Sequence, residues 1–120
     1  MDLWITDGPL DATTHVIEPH GDIDLDTVPD FKATLDAAVD TGARYVLVDF
    51  GDVGFVDSSG IGVLLSAQRK LRPRDGKVLV VCIHPQIRRV FEISGLTAVS
   101  NTTPLGREAC LATEQFAAAN

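Results

Sequence analysis

Apolar positions along the chain follow two alternating patterns: short, nearly continuous runs, and longer stretches in which they return every three or four residues. Residues 45–50 and 78–83 are of the first kind, as expected of strands covered on both faces. They predict two central parallel strands. Phe31, Leu35, Ala38 and Val39 recur at helical spacing after Thr27, with Asp30 three residues beyond it in a capping-box pattern. A first helix is predicted there, stopped by Gly42 in a left-handed conformation. A second is expected to start at Ser58 or Ser59, with Ile61, Leu64, Leu65 and Leu71 on one side. A third follows Pro85, with Ile87, Val90 and Phe91 inward and Gly95 as its stop. The fourth opens at Thr103 and Pro104 and runs through Leu111 and Phe116.

Shorter strands at residues 3–6 and 14–18, separated by the turn formers Asp7, Gly8 and Pro9, predict an antiparallel pair, and another is expected at 98–100. Pro19 lacks an N–H and is expected to end or edge the second strand. Strands alternating with helices from end to end give an α/β fold, a small mixed, mostly parallel sheet of about five strands with four helices. Right-handed crossovers gather the ends of the parallel strands at one edge. Residues 1–120 are expected to form a single domain, long enough to bury about two thirds of the surface of the unfolded chain without staples.

Charge narrows the choice of partner. Ten Lys and Arg against 17 Asp and Glu give a net charge of -7, and such a surface repels phosphate backbones and anionic lipid. Nucleic acid and membrane are therefore not expected partners. No basic leader with an apolar stretch opens the chain and no apolar run approaches a membrane span, so a cytoplasmic location is expected. Cys82 and Cys110 lack the spacing of a metal or redox site and read as free thiols in reducing cytosol. No metal and no cofactor is expected.

The stretch Phe55-Val56-Asp57-Ser58-Ser59-Gly60-Ile61-Gly62 joins a buried strand to a helix. Ser58 occupies the expected N-cap position, where free backbone N–H groups favour an anion such as phosphate. Gly60 and Gly62 each cost the helix about 1 kcal/mol relative to alanine, and they leave a bare backbone that another protein can approach. The plainer alternative is a simple cap with glycines packed on the sheet. Gly21-Asp22-Ile23-Asp24 ends a parallel strand and is expected at the same edge; its plainer alternative is a solvated turn.

Gly21-Asp22-Ile23-Asp24 followed by Thr27, then residues 55–64, then Val80-Val81-Cys82 with residues 87–96 resemble, in order and with compatible spacing over residues 14–112, the bacterial anti-sigma factor antagonists of the STAS family. Pro19 and His20 depart from that pattern, standing where an ordinary strand residue is usual. The resemblance implies that Ser58, and not Ser59, is phosphorylated. It implies partner switching: the unphosphorylated chain binds an anti-sigma factor and frees a sigma factor, the anti-sigma factor being itself a serine kinase that brings ATP. Phosphorylation of Ser58 switches binding off, and a phosphatase restores it. Asp22, Asp24, Asp57, Ser59, Gly60, Ile61 and Gly62 are then candidate partner-binding residues, with Asp24 and Asp57 expected to orient the Ser58 hydroxyl. The chain has no phosphate loop of the GxxxxGK[ST] kind, as befits a substrate rather than a kinase. No catalytic residue is expected: Ser58 lacks the Gly-x-Ser-x-Gly elbow, and of His15, His20 and His84 only His20 is expected near its edge. The chain is expected as a monomer or a weak dimer. The alternative is a STAS subunit or scaffold of another complex, for lipid transport or stress sensing, without sigma-factor control.

Overall fold

The computed structural model describes residues 3–81, 84–94 and 104–119. In chain order these form β1 (Trp4–Pro9), β2 (Thr14–Ile23), α1 (Val28–Asp40), β3 (Tyr45–Asp49), β4 (Val53–Val56), α2 (Ser58–Leu71), a short 3-10 turn (Arg72–Arg74), β5 (Lys77–Val81), α3 (Pro85–Ser94) and α4 (Pro104–Ala119). The expected α/β architecture of five strands and four helices is present. Its fifth strand is β4, however, which the sequence reading treated as part of a connection. The strand expected at 98–100 and the stop at Gly95 lie outside the described residues.

The sheet runs β1-β2-β3-β5, with β4 also on β2. Strand β2 is forked: Thr14 to Ile17 pair in parallel with β3, whereas Gly21 and Ile23 pair with β4. Pro19 falls in the gap between these two ladders, so its missing N–H interrupts neither. Of the two outcomes expected from sequence it does not end the strand, because β1 continues alongside it with Ile5 opposite Pro19, but among the described residues the other side of β2 is unpaired at that point, as expected. The expected turn at Asp7-Gly8-Pro9 is also displaced. Those residues finish β1, and the chain reverses after them, where the Asp11 carboxylate accepts from the Thr13 and Thr14 N–H groups at 2.8 and 2.9 Å.

Alternation along β2, β3 and β5 sends side chains to two covered faces. Ile17, Val46, Val48, Val78 and Val80 meet α1 and α2 through Phe31, Leu35, Leu64 and Leu71, all 3% exposed or less. Phe50 ties this core together, its ring centroid 6.2 Å from Phe31 and 5.8 Å from Phe91. Burying each such side chain contributes roughly 1.5–3 kcal/mol. Val16, Leu47 and Val81 face the other way, onto Ala109 and Phe116 of α4. Gly42 ends α1 at φ +88, the expected left-handed stop. The predicted capping box at its start does not form. Thr27 has a helical backbone and makes no side-chain cap; its hydroxyl donates instead to the Asp22 carbonyl at 2.8 Å.

Candidate functional site

The upper ladder of β2 sets the geometry of the site. Ile23 pairs with Val56, and the Asp57 N–H donates to the Ile23 carbonyl at 3.1 Å. This fixes Asp57 and the start of α2 beside Asp22 and Asp24, the juxtaposition expected from sequence. Gly21 makes the approach feasible with φ +119, a conformation costly for residues with a side chain, while its N–H donates to the Asp52 carbonyl at 3.1 Å.

The cap of α2 belongs to Asp57 and not to Ser58, which corrects the sequence reading. Asp57 is extended (φ -101, ψ -175), and its carboxylate accepts from the Ser59 N–H at 2.9 Å and from the Ser59 hydroxyl. Ser58 is therefore the first helical residue, with an exposed side chain that has no hydrogen-bond partner among the described residues. The two serines divide the work: Ser59 is spent on the cap and Ser58 is free. The expectation that Asp24 and Asp57 orient the Ser58 hydroxyl is not met. Asp57 holds Ser59, while Asp24 Oδ1 accepts from the N–H groups of Asp26 and Thr27 at 3.0 and 3.1 Å and so shapes its own loop.

Bonds from the Ser59 hydroxyl, then from the backbone N–H groups of Ser59, Gly60 and Leu25, outweigh burial and hold the Asp57 carboxyl below its ordinary value of 3.8. Because the folded value lies below the unfolded one, folding favours the ionised cap. Its contribution is complete above about pH 4 and is lost as pH falls through the lowered value. Asp57→Ala is expected to lower the melting temperature by a few degrees at neutral pH. Asp57→Asn, which keeps an acceptor, should lose less and show a weaker fall of stability between pH 5 and 3, followed by thermal melts across about that range.

The two helix glycines part company. A Cβ on Gly60 would stand 2.7 Å from Val56 Cγ2 and 2.8 Å from Ile23 Cγ2, so this glycine lets α2 lie against the sheet. Gly62 is exposed with nothing within 4 Å of such an atom. Ile61 is 5% exposed and belongs to the core. Of the candidate contact residues, Gly60 and Ile61 thus support the face from beneath, while Gly62 lies on it.

Asp22, Asp24 and Asp57 have no cationic partner among the described residues, whose ion pairs lie at Asp7, Asp36, Asp52 and Asp75. Two residues that the sequence reading did not single out flank them. Leu25 is 75% exposed directly after Asp24, and Phe55 is 51% exposed on β4. Phe55 stands in the stretch expected from sequence to join a strand to a helix; a large apolar residue beside buried Val56 on a four-residue strand is the signal that marks it. His20 Nδ1 donates to the Asp52 carboxylate at 2.7 Å and its ring stacks on Trp4 with centroids 3.7 Å apart, and His15 Nε2 donates to the Asp7 carboxylate at 2.8 Å; neither ring is hydrogen-bonded to Ser58.

A family model described as the STAS domain matches residues 7–109. The chain belongs to the STAS domain family. It is 37% identical over 68 residues to BtrV of Bordetella bronchiseptica, a protein named as an anti-sigma factor antagonist, in a match spanning 57% of this chain and 59% of that one. It is 30% identical over 76 residues to the anti-sigma-B factor antagonist of Staphylococcus aureus, covering 63% of this chain and 70% of that one. Among solved structures it superimposes on the anti-sigma factor antagonist SpoIIAA in its unphosphorylated form, with TM-score 0.68, 26% identity and coverage of 80% of this chain and 87% of that one. The phosphorylated form of the same Bacillus protein gives TM-score 0.69 at 26% identity, covering 88% and 97%. No helix among the described residues is long and apolar enough to cross a membrane.

Proposed function

We propose that this STAS domain is a cytoplasmic anti-sigma factor antagonist whose unmodified form docks on an anti-sigma factor and is released when that partner, acting as a serine kinase with its own ATP, phosphorylates Ser58. The observation that carries the reading is the free, exposed Ser58 hydroxyl beside a cap that consumes Ser59, within a fold otherwise known in unphosphorylated and phosphorylated forms. An uncommitted hydroxyl on the first turn of a helix is accessible to a phosphoryl donor, and the helix end tolerates the product. The docking face consists of Asp22, Asp24, Asp57 and Gly62, with Leu25 and Phe55 as apolar anchors. Exposed apolar side chains rimmed by charge are the usual makeup of such a face, and unpaired carboxylates suit a basic patch on the partner. A phosphatase closes the cycle by restoring the hydroxyl.

The direct test is incubation with the host's anti-sigma kinase and ATP followed by mass mapping. One phosphate on Ser58 is expected, absent from Ser58→Ala and retained in Ser59→Ala. Phosphate on Ser59 in the unaltered protein, or capture of a transport ATPase in place of a small kinase, would refute the assignment. Within the face, Leu25→Ala and Phe55→Ala should each weaken docking by about tenfold or more, with melting temperature unchanged.

A further inference from the structure

At the opposite end of the sheet from Ser58, between the strands and α4, lies a cavity of about 320 Å³ that the switch does not use. The register dictates its makeup. Thr14, Tyr45 and Lys77 are paired neighbours that open β2, β3 and β5, and they form a polar row across the mouth. Two residues further along, on the same face, Leu47 and Leu79 are likewise paired and form an aliphatic floor. Above them α4 offers, among the described residues, the methyl groups of Ala109 and Ala112, which leave open the space a larger side chain would take. The volume lies at the lower end of the range for small-molecule sites, roughly 300–1,000 Å³.

Charge at the mouth selects the ligand. Arg44 lies 3.8 Å from the Asp75 carboxylate and 5.3 Å from the Tyr45 ring centroid, and Arg74 donates to the carbonyls of Val39 and Ala43 at 2.8 and 3.0 Å. Lys77 is exposed and has no acidic partner among the described residues, so its ammonium is the uncommitted cation of the row. The unpaired carboxylates of the switch stand at the other ends of the strands. We infer that the cavity binds an aliphatic carboxylate of about eight to ten carbons, its chain between Leu47 and Leu79 on one side and Ala109 and Ala112 on the other, its head group on Lys77. This assignment is independent of the phosphorylation cycle.

Titrating sodium octanoate into the isotope-labelled chain, read by backbone amide shifts, tests it. Saturable shifts are expected, confined to the strand starts and α4, with a dissociation constant of about 1 mM or below and a melting temperature rising with ligand. Lys77→Met, an exposed change, should weaken octanoate about tenfold, and octanol should bind the unaltered chain no better than octanoate binds that variant. Ala112→Leu, which fills the cavity, should abolish binding while the protein stays folded. The inference fails if octanoate gives no saturable shifts, if it binds Ala112→Leu or Lys77→Met undiminished, or if octanol equals octanoate on the unaltered chain. It also fails if the same amides shift with protein concentration alone, since a second copy would then be the occupant.

Discussion

Ser58→Asp is expected to weaken capture of the anti-sigma kinase by at least about a hundredfold and full phosphorylation by more, whereas Ser58→Ala keeps most of the affinity. A phosphoserine adds close to two negative charges to an end of the molecule that already holds Asp22, Asp24 and Asp57 with no cationic partner among the described residues. At a separation of roughly 6 Å and an effective dielectric near 20, each unit-charge pair costs about 2–3 kcal/mol before screening, and about 1.4 kcal/mol is a tenfold change in affinity. In the free protein the N–H groups opening α2 and the surrounding water offset that repulsion. Against a partner the water is gone and an unpaired dianion is desolvated, so the penalty falls on the complex. Calorimetric titration of the kinase with both variants and the phosphorylated chain reads the effect. Amide shifts on phosphorylation should stay within the turns around residues 21–27 and 52–62. Shifts spread across β3 and β5, or a phosphorylated chain that binds as tightly as the bare one, would refute exclusion at the interface.

Gly60→Ala carries the largest expected change in stability. Its methyl group would fall inside the contact distance of two buried side chains, Val56 and Ile23, which themselves pair across β2 and β4 and have little room to retreat. With two contacts under 3.0 Å the cost falls toward the upper end of the usual overpacking range, about 2–3 kcal/mol, and exceeds the roughly 1 kcal/mol that alanine gains over glycine in a helix. Gly62→Ala, two residues on and facing open solvent, keeps that gain and should raise stability by about 0.5–1 kcal/mol. Opposite signs from the same substitution are the expected outcome, measured by chemical denaturation. Two losses of similar size would mean that both glycines serve the helix–sheet contact.

Much of this architecture was legible from residue spacing, and the failures have physical causes. Strands buried on both faces and helices with one apolar side announce themselves, so β3, β5, α1 and α2 were read correctly at Tyr45, Val78, Phe31 and Leu64. Local turn chemistry misled where tertiary contacts prevailed. Gly8 looked like a turn residue but sits in a strand, where a Cβ would stand 3.2 Å from the Phe116 ring of α4. Pro9 finishes β1, whose outer side is unpaired among the described residues, so its missing N–H is tolerated. The true reversal is held by the Asp11 side chain, in a segment without glycine or proline. Strand β4 escaped notice because four residues including Gly54 show almost no period. At the site, proximity of Asp22, Asp24 and Asp57 to Ser58 followed from topology, but the division of labour between the serines depended on the backbone angle of Asp57, which composition does not reveal.

Because β2 carries two short ladders in series, the molecule has a seam. Opening the Gly21–Ile23 segment strains no bond between Thr14–Ile17 and β3, so fraying at one end is not transmitted as unzipping at the other. If the proposed cycle grips, modifies and releases the chain at one end, that seam is a built-in crack-stopper, and Pro19 is where it lies.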